Sequence, residues 1–397
     1  MRMFRGILTA AAIAAPVFAV ATARAEAPPI VIGFAIAQSG WMAPNDTPSE
    51  AAELAIHDIN AKGGLLGRKI VTVYADTKSD RVESSKAGLA VLSKGADLVV
   101  TSCDYDMGAP AALEAVKAGK MAWSLCAEEV KFGRLGPNVF TIGPAAQVIG
   151  ASIAEWGYEK KGYRKLFVLL DTSLEYTKEV CFGMTHAWSA LPGAKIVGMD
   201  TFKNGDASIA TQITRLKNAN PKPDAIALCT YPPGGVTAMR QLSTSGVTLP
   251  VLANDAMDGA FWMNAVPNLK DLYVPSVGSV YGDDPRPQIN ALLKRLIAKD
   301  GHAPAFGYAY TGYSDIQTWA RGVERAKSLD AKLVTAQLEK FKDEPSLMGP
   351  ITFTKNMHVV TQYTFQIIGV ENGKRKWLDT ITPKTKFTTR QLLGKLQ

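Results

Sequence analysis

Residues 47–76 read TPSEAAELAIHDINAKGGLLGRKIVTVYAD, and this stretch decides the fold class. Thr47-Pro48-Ser49-Glu50 has the form of a capping box, with proline at the first helical position, where its missing N–H costs nothing. Ala52, Ala55, Ile56 and Ile59 then recur at helical spacing. Gly63-Gly64 stops the helix, and residues 69–74 follow as a strand. Upstream, the apolar run 29–35 is a first strand, and a polar loop carrying Trp41 leads from it into the helix. A strand, a helix and a strand in this order form a βαβ unit, which belongs to a parallel sheet.

The rhythm repeats outward from there. Asp80 and Glu83 make a second capping pair, ahead of a helix that runs to Lys94 and stops at Gly95. Strands at 98–101 and 121–125 flank a helix at 110–118. A second series has strands at 166–170, 195–199, 225–229, 251–253 and 272–277, with helices at 151–161, 175–189, 207–218 and 236–245. Three helical stretches, 287–299, 305–326 and 331–341, have no strands between them and need an existing sheet to lie on. The chain is therefore expected to return to the first unit and then cross again to the second. There 360–370 and 376–381 are strands about Asn372-Gly373, a strong hairpin signal. The expected class is α/β, with two doubly wound lobes built on parallel central sheets.

Composition narrows the function. The chain has 397 residues, 47% hydrophobic and 20% charged, which excludes a disordered tail, a collagen-like rod and a polytopic membrane protein. Residues 1–25 carry Arg2 and Arg5, then an apolar run, then Ala23-Arg24-Ala25, the pattern of a secretory signal peptide. Cleavage removes three arginines and takes the formal charge from +8 to +5. No basic tract interleaved with aromatics occurs, so nucleic acid is not an expected partner. The first strand leads into Gly33-Phe34-Ala35-Ile36-Ala37-Gln38-Ser39-Gly40, which is no dinucleotide or phosphate loop. There is no G-x-S-x-G elbow, no H-E-x-x-H and no Cys/His metal spacing. The expectation is a protein that is not an enzyme and needs no cofactor or metal.

The segments IGFAIAQSG, AAELAIHDINAKGGLLGRKI and VTVYAD, within residues 32–76, resemble the start of the branched-chain amino-acid-binding (Leu/Ile/Val-binding) family. These are periplasmic type I solute-binding proteins of ABC importers. Echoes continue at 166–180, 206–216, 224–242 and 303–326. The resemblance implies two lobes joined by three crossing segments, placed near 143–147, 274–279 and 348–353. Lobe 1 is then 26–145 with 278–350, and lobe 2 is 146–277 with 351–397. It also implies a periplasmic monomer that closes on a small solute and docks on an inner-membrane ABC permease. The same fold can serve a membrane receptor as a sensing module.

Ligands of open α/β sheets meet the loops beyond the carboxyl ends of strands. Trp41 lies in the first such loop and is a candidate wall. In the second, Tyr105 can stack and Asp106 can face a donor or cap the helix. In the third are Ala127, as a backbone contact, and Glu128. The family carries a hydroxyl near Glu128 for a solute carboxylate, so an acid there departs from the pattern and argues against an ordinary amino acid. Tyr176 and Tyr231 resemble family tyrosines that close over the solute. Asp255, in competition with Asp258, resembles the partner of an ammonium group. Tyr308 opens a long helix, with Phe306 its competitor. The set favours a small polar or amine-bearing solute such as an amino acid or amine; a small aromatic compound is the alternative class.

The four cysteines allow three complete pairings. Cys103 and Cys126 end consecutive strands and are expected to bond if those strands are neighbours. Elimination then leaves Cys181 with Cys229; the alternative is buried free thiols.

Overall fold

The structure is a computed structural model describing residues 27–393 except Pro267 and Asn372. The expected signal peptide lies outside the described residues. Strands β1 (Ile30–Ile36), β2 (Ile70–Asp76), β3 (Leu98–Thr101), β4 (Met121–Ser124) and β5 (Val139–Phe140) form one parallel sheet in the order β2-β1-β3-β4-β5. Every residue of β3 and β4 is buried, which is why these strands read as apolar runs without alternation.

A second sheet holds β6 (Lys165–Asp171), β7 (Lys195–Phe202), β8 (Ala225–Cys229), β9 (Val251–Ala253), β10 (Leu272–Ser276), β11 (Phe365–Glu371) and β12 (Lys374–Ile381). Its order is β12-β11-β10-β9-β8-β6-β7. It is parallel from β7 to β10, and the last two strands are antiparallel. The β11–β12 hairpin turns between Glu371 and Lys374, with Gly373 at φ +72°. Among the described residues no helix is long and apolar enough to cross a membrane.

Local chemistry sets the helix starts. Asp80 caps Arg81–Ser93 by accepting from the N–H groups of Val82 and Glu83. The capping box at Thr47 does not form. A 3₁₀ turn, Ala43–Asp46, runs straight into the helix Pro48–Ala61, so Thr47 is already helical and its hydroxyl donates back to the Pro44 carbonyl at 3.1 Å. The helix expected from residue 110 starts at Tyr105, because Asp104 caps it through the Met107 N–H and Pro110 is carried inside.

The chain passes between the sheets three times: after β5, after β10, and before β11. After the second passage the helix Tyr310–Ala326 lies on Pro48–Ala61 so closely that a Cβ on Gly312 would meet the Pro48 carbonyl oxygen at 1.9 Å. The third passage comes later than the expected 348–353. The Phe353 ring packs edge-on against Trp123 and Phe140, and His358 stacks on Phe140 at 3.9 Å, which holds the chain against the first sheet as far as His358. Val360 then bridges Pro144, so the first and third passages run side by side. The lobe boundary placed at 350/351 moves accordingly.

In the second lobe the helices Ala146–Lys161 and Glu175–Ala190 meet through glycines. A Cβ on Gly183 would lie 2.0 Å from the Gln147 carbonyl oxygen, and one on Gly150 would lie 2.0 Å from that of Val180. Both neighbours are backbone atoms and cannot turn aside. Gly183→Ala is expected to cost about 1–3 kcal/mol by overpacking, read as a lowered urea midpoint; an unchanged midpoint would show that the helices separate freely.

Candidate functional site

The carboxyl ends of β1, β3 and β4 in one lobe face those of β6, β8 and β9 in the other, and the segments that follow them enclose a cavity of about 50 Å³. That holds a few water-sized groups. Trp41, Glu128, Tyr176, Tyr231, Asp255 and Tyr308 all line it, joined by Met42, Asn45, Asp104, Leu174, Ala256 and the Cys103–Cys126 disulfide.

The aromatic walls are fixed by their partners. Trp41, 36% exposed, stands at the rim with its ring 5.4 Å from that of Tyr231, so the lobes touch there. Tyr308 stacks on Phe306 and donates its hydroxyl proton to Asn45 at 2.7 Å. Phe306 is thus the support and Tyr308 the lining residue. Tyr176 donates to Asp255 and accepts from the Asn254 amide at 2.8 Å. Burial pushes the phenols of Tyr176 and Tyr308 well up, so both stay neutral donors.

Acid dominates the polar lining, and no lysine or arginine is among the lining residues. Glu128, from the first lobe, lies within hydrogen-bond reach of Asp255, from the second. Burial, and then the neighbouring Asp255 charge, hold the Glu128 carboxyl well above the usual range; burial raises Asp255 as well. Asp104 is raised by burial and by Glu129, whose carboxyl burial and the Glu179 charge push up to about 8. Asp46 is pushed up to about 6 by burial although it accepts from the N–H groups of Ala37 and Cys103.

Three expected contacts are not in the cavity. Because Asp104 is the cap, Tyr105 and Asp106 are one and two residues into the helix and turn away. Asp106 pairs with Arg81 and accepts from the Glu175 N–H of the other lobe at 3.0 Å. Ala127 is buried among the helices and strands of the first lobe, its N–H donated to the Ser124 hydroxyl and its carbonyl accepting from Thr141. Asp258, the competitor of Asp255, accepts from the Tyr281 hydroxyl and the Gly307 N–H. Sequence reasoning missed Asp104; its signal was an aspartate three residues before Met107, obscured by the pull of Pro110 toward a later helix start.

The adjacent strands β3 and β4 bring Cys103 and Cys126 to a Cα separation of 4.5 Å, and they are bonded. The expected Cys181–Cys229 bond is absent. The helix Glu175–Ala190 packs over β8, and the two sulfurs meet there as buried free thiols filling core space like small hydrophobes. Among the described residues no group of His, Cys, Asp and Glu is placed to hold a metal ion.

Two α/β lobes, three passages between them and a cavity lined from both lobes define a solute-binding protein that works by lobe closure. The sequence matches the Periplasmic binding protein family over residues 29–374, and the chain belongs to that family. It is 25% identical to a Leu/Ile/Val-binding protein from Rhizobium johnstonii over 87% of this chain and 92% of the relative. The fold matches the branched-chain amino-acid transporter substrate-binding protein of Streptococcus pneumoniae, solved with isoleucine, at a TM-score of 0.78 and 23% identity, covering 89% of this chain and all of that one. It also matches an ABC-transporter solute-binding protein of R. palustris, solved with benzoate, at 0.73 and 18% identity, covering 93% of this chain and all of that one. The chain is therefore the periplasmic, non-catalytic solute-binding component of an ABC importer.

Two outcomes follow. Alkylation of the unreduced denatured protein is expected to label Cys181 and Cys229 only, and all four cysteines after reduction; mass spectrometry reads the difference, and two unlabelled pairs would refute free thiols. An acid whose folded pKa is raised holds its proton in the native state after the unfolded chain has lost it, so stability falls as pH rises through that window. For Glu129 and Glu179, pushed up to about 8 and about 7, the window runs from the ordinary carboxyl range to those values. The Tm of the solute-free protein is expected to fall as pH rises from about 5 to about 8, and Glu129→Gln to flatten the slope; a rising Tm across that range would contradict the buried acids.

Proposed function

We propose that this protein captures a small amine-bearing solute, an amino acid, amine or related compound, and delivers it as a monomer to an inner-membrane ABC permease. The carrying observation is the lining: Glu128, Asp255 and Asp104 with no basic residue beside them. An ammonium group is attracted to both carboxyl groups and ring faces, and a few desolvated contacts of this kind are worth more here than in water. In this reading Asp255 and Glu128 grip the ammonium from opposite lobes, and Trp41, Tyr176, Tyr231 and Tyr308 form the walls. An aromatic acid lacks a counter-charge among the lining residues.

The test is a thermal-shift screen of the mature protein across amino acids, amides, polyamines and aromatic acids. Amine-bearing members are expected to raise Tm. Asp255→Asn is expected to weaken the best of them about 10–100-fold, the scale of a charge-assisted hydrogen bond. Stabilisation by aromatic acids alone would overturn the reading.

A further inference from the structure

We infer that the solute is an amine that carries no carboxylate. The inference rests on the amine-bearing reading above and deepens it. The groups that would hold a carboxylate are backbone N–H donors at the carboxyl ends of β3 and β4, where strand gives way to helix or turn. In this chain most of them are already taken, including those of the lining residues Cys103 and Glu128. Cys103 N–H donates to Asp46 at 2.8 Å, Tyr105 N–H to Glu129 at 3.2 Å, and Met107 N–H to Asp104 at 3.0 Å. On the neighbouring loop Ala127 N–H donates to the Ser124 hydroxyl at 2.9 Å, and Glu128 N–H to Glu129 at 3.2 Å.

Three of these acceptors, Asp46, Asp104 and Glu129, are buried carboxyl groups of the protein itself. Asp104 lines the cavity, and Asp46 and Glu129 hold the N–H groups of the lining residues Cys103 and Glu128. A carboxylate seeking the Cys103 or Glu128 N–H would have to displace Asp46 or Glu129 and then lie beside Asp104, Glu128 and Asp255, with no lysine or arginine in the lining to offset the charge. A cationic amine meets neither obstacle.

The experiment compares amino acids with their decarboxylated amines. Mature protein is titrated by calorimetry with valine and isobutylamine, serine and ethanolamine, ornithine and putrescine, and with isovalerate as an amine-free acid. In at least one pair the amine is expected to bind at least tenfold more tightly than its parent. Asp104→Asn keeps a capping side chain and removes one acid, so it is expected to narrow that ratio several-fold, with unchanged circular dichroism showing that the fold persists. Parent amino acids binding as well as or better than the amines in every pair would overturn this inference and leave the amine-bearing reading standing. Absence of saturable binding by all three amines at millimolar concentration would overturn it too. Binding of isovalerate alone would overturn both.

Discussion

Two carboxyl groups cannot come into contact as two anions in a buried place; a positive charge has to lie between them. Glu128 and Asp255 meet across the cleft under this constraint. In the solute-free closed form that charge is a proton, which is why burial and mutual repulsion hold the Glu128 carboxyl so far up. The cost of desolvating acids is usually reason to keep them at the surface. Here Asp104, Glu128, Glu129 and Asp255 are all buried.

The fold delivers these groups by repetition. Each acid follows the carboxyl end of a parallel strand: Asp104 after β3, Glu128 after β4, Asp255 after β9. Parallel strands put all such ends on one edge of a sheet, and two sheets edge to edge then face one another. The tyrosines are placed by the same rule, Tyr176 after β6 and Tyr231 after β8. The supporting shell is tight. Asn254 holds Tyr176, the Thr230 N–H and the Thr230 carbonyl at once, so the second lobe presents its acid and its ring as one rigid piece.

Much of this was legible in the chain. Fully buried strands show as apolar runs, and glycines at helix ends, such as Gly95 at φ +84°, show as stops. Six of the nine expected contacts line the cavity because strand ends can be found by this punctuation. What failed depended on one residue of register or on distant partners. Pro110 is compatible with a helix start, so the cap was read too late and Asp104 was passed over for Tyr105 and Asp106. The third passage between lobes was misplaced because His358 is held by the Val139 carbonyl and the Phe140 ring, more than two hundred positions away. No local pattern announces such a contact.

Asp106 shows how a residue outside the cavity still bears on binding. It accepts the Glu175 N–H at the start of a helix in the opposite lobe, and Lys131 of the first lobe pairs with Glu175 and approaches Glu179 at 3.8 Å. These contacts join the lobes beside the cavity. Partly exposed pairs contribute little energy, and here they tie Asp106 and Lys131 of the first lobe to the first turns of the helix Glu175–Ala190 in the second. They also occupy a nearby lysine with acids. Lys131, matched by Glu175 and Glu179, does not enter the cavity to neutralise it, and the demand for a positive charge is left to whatever the lobes close upon.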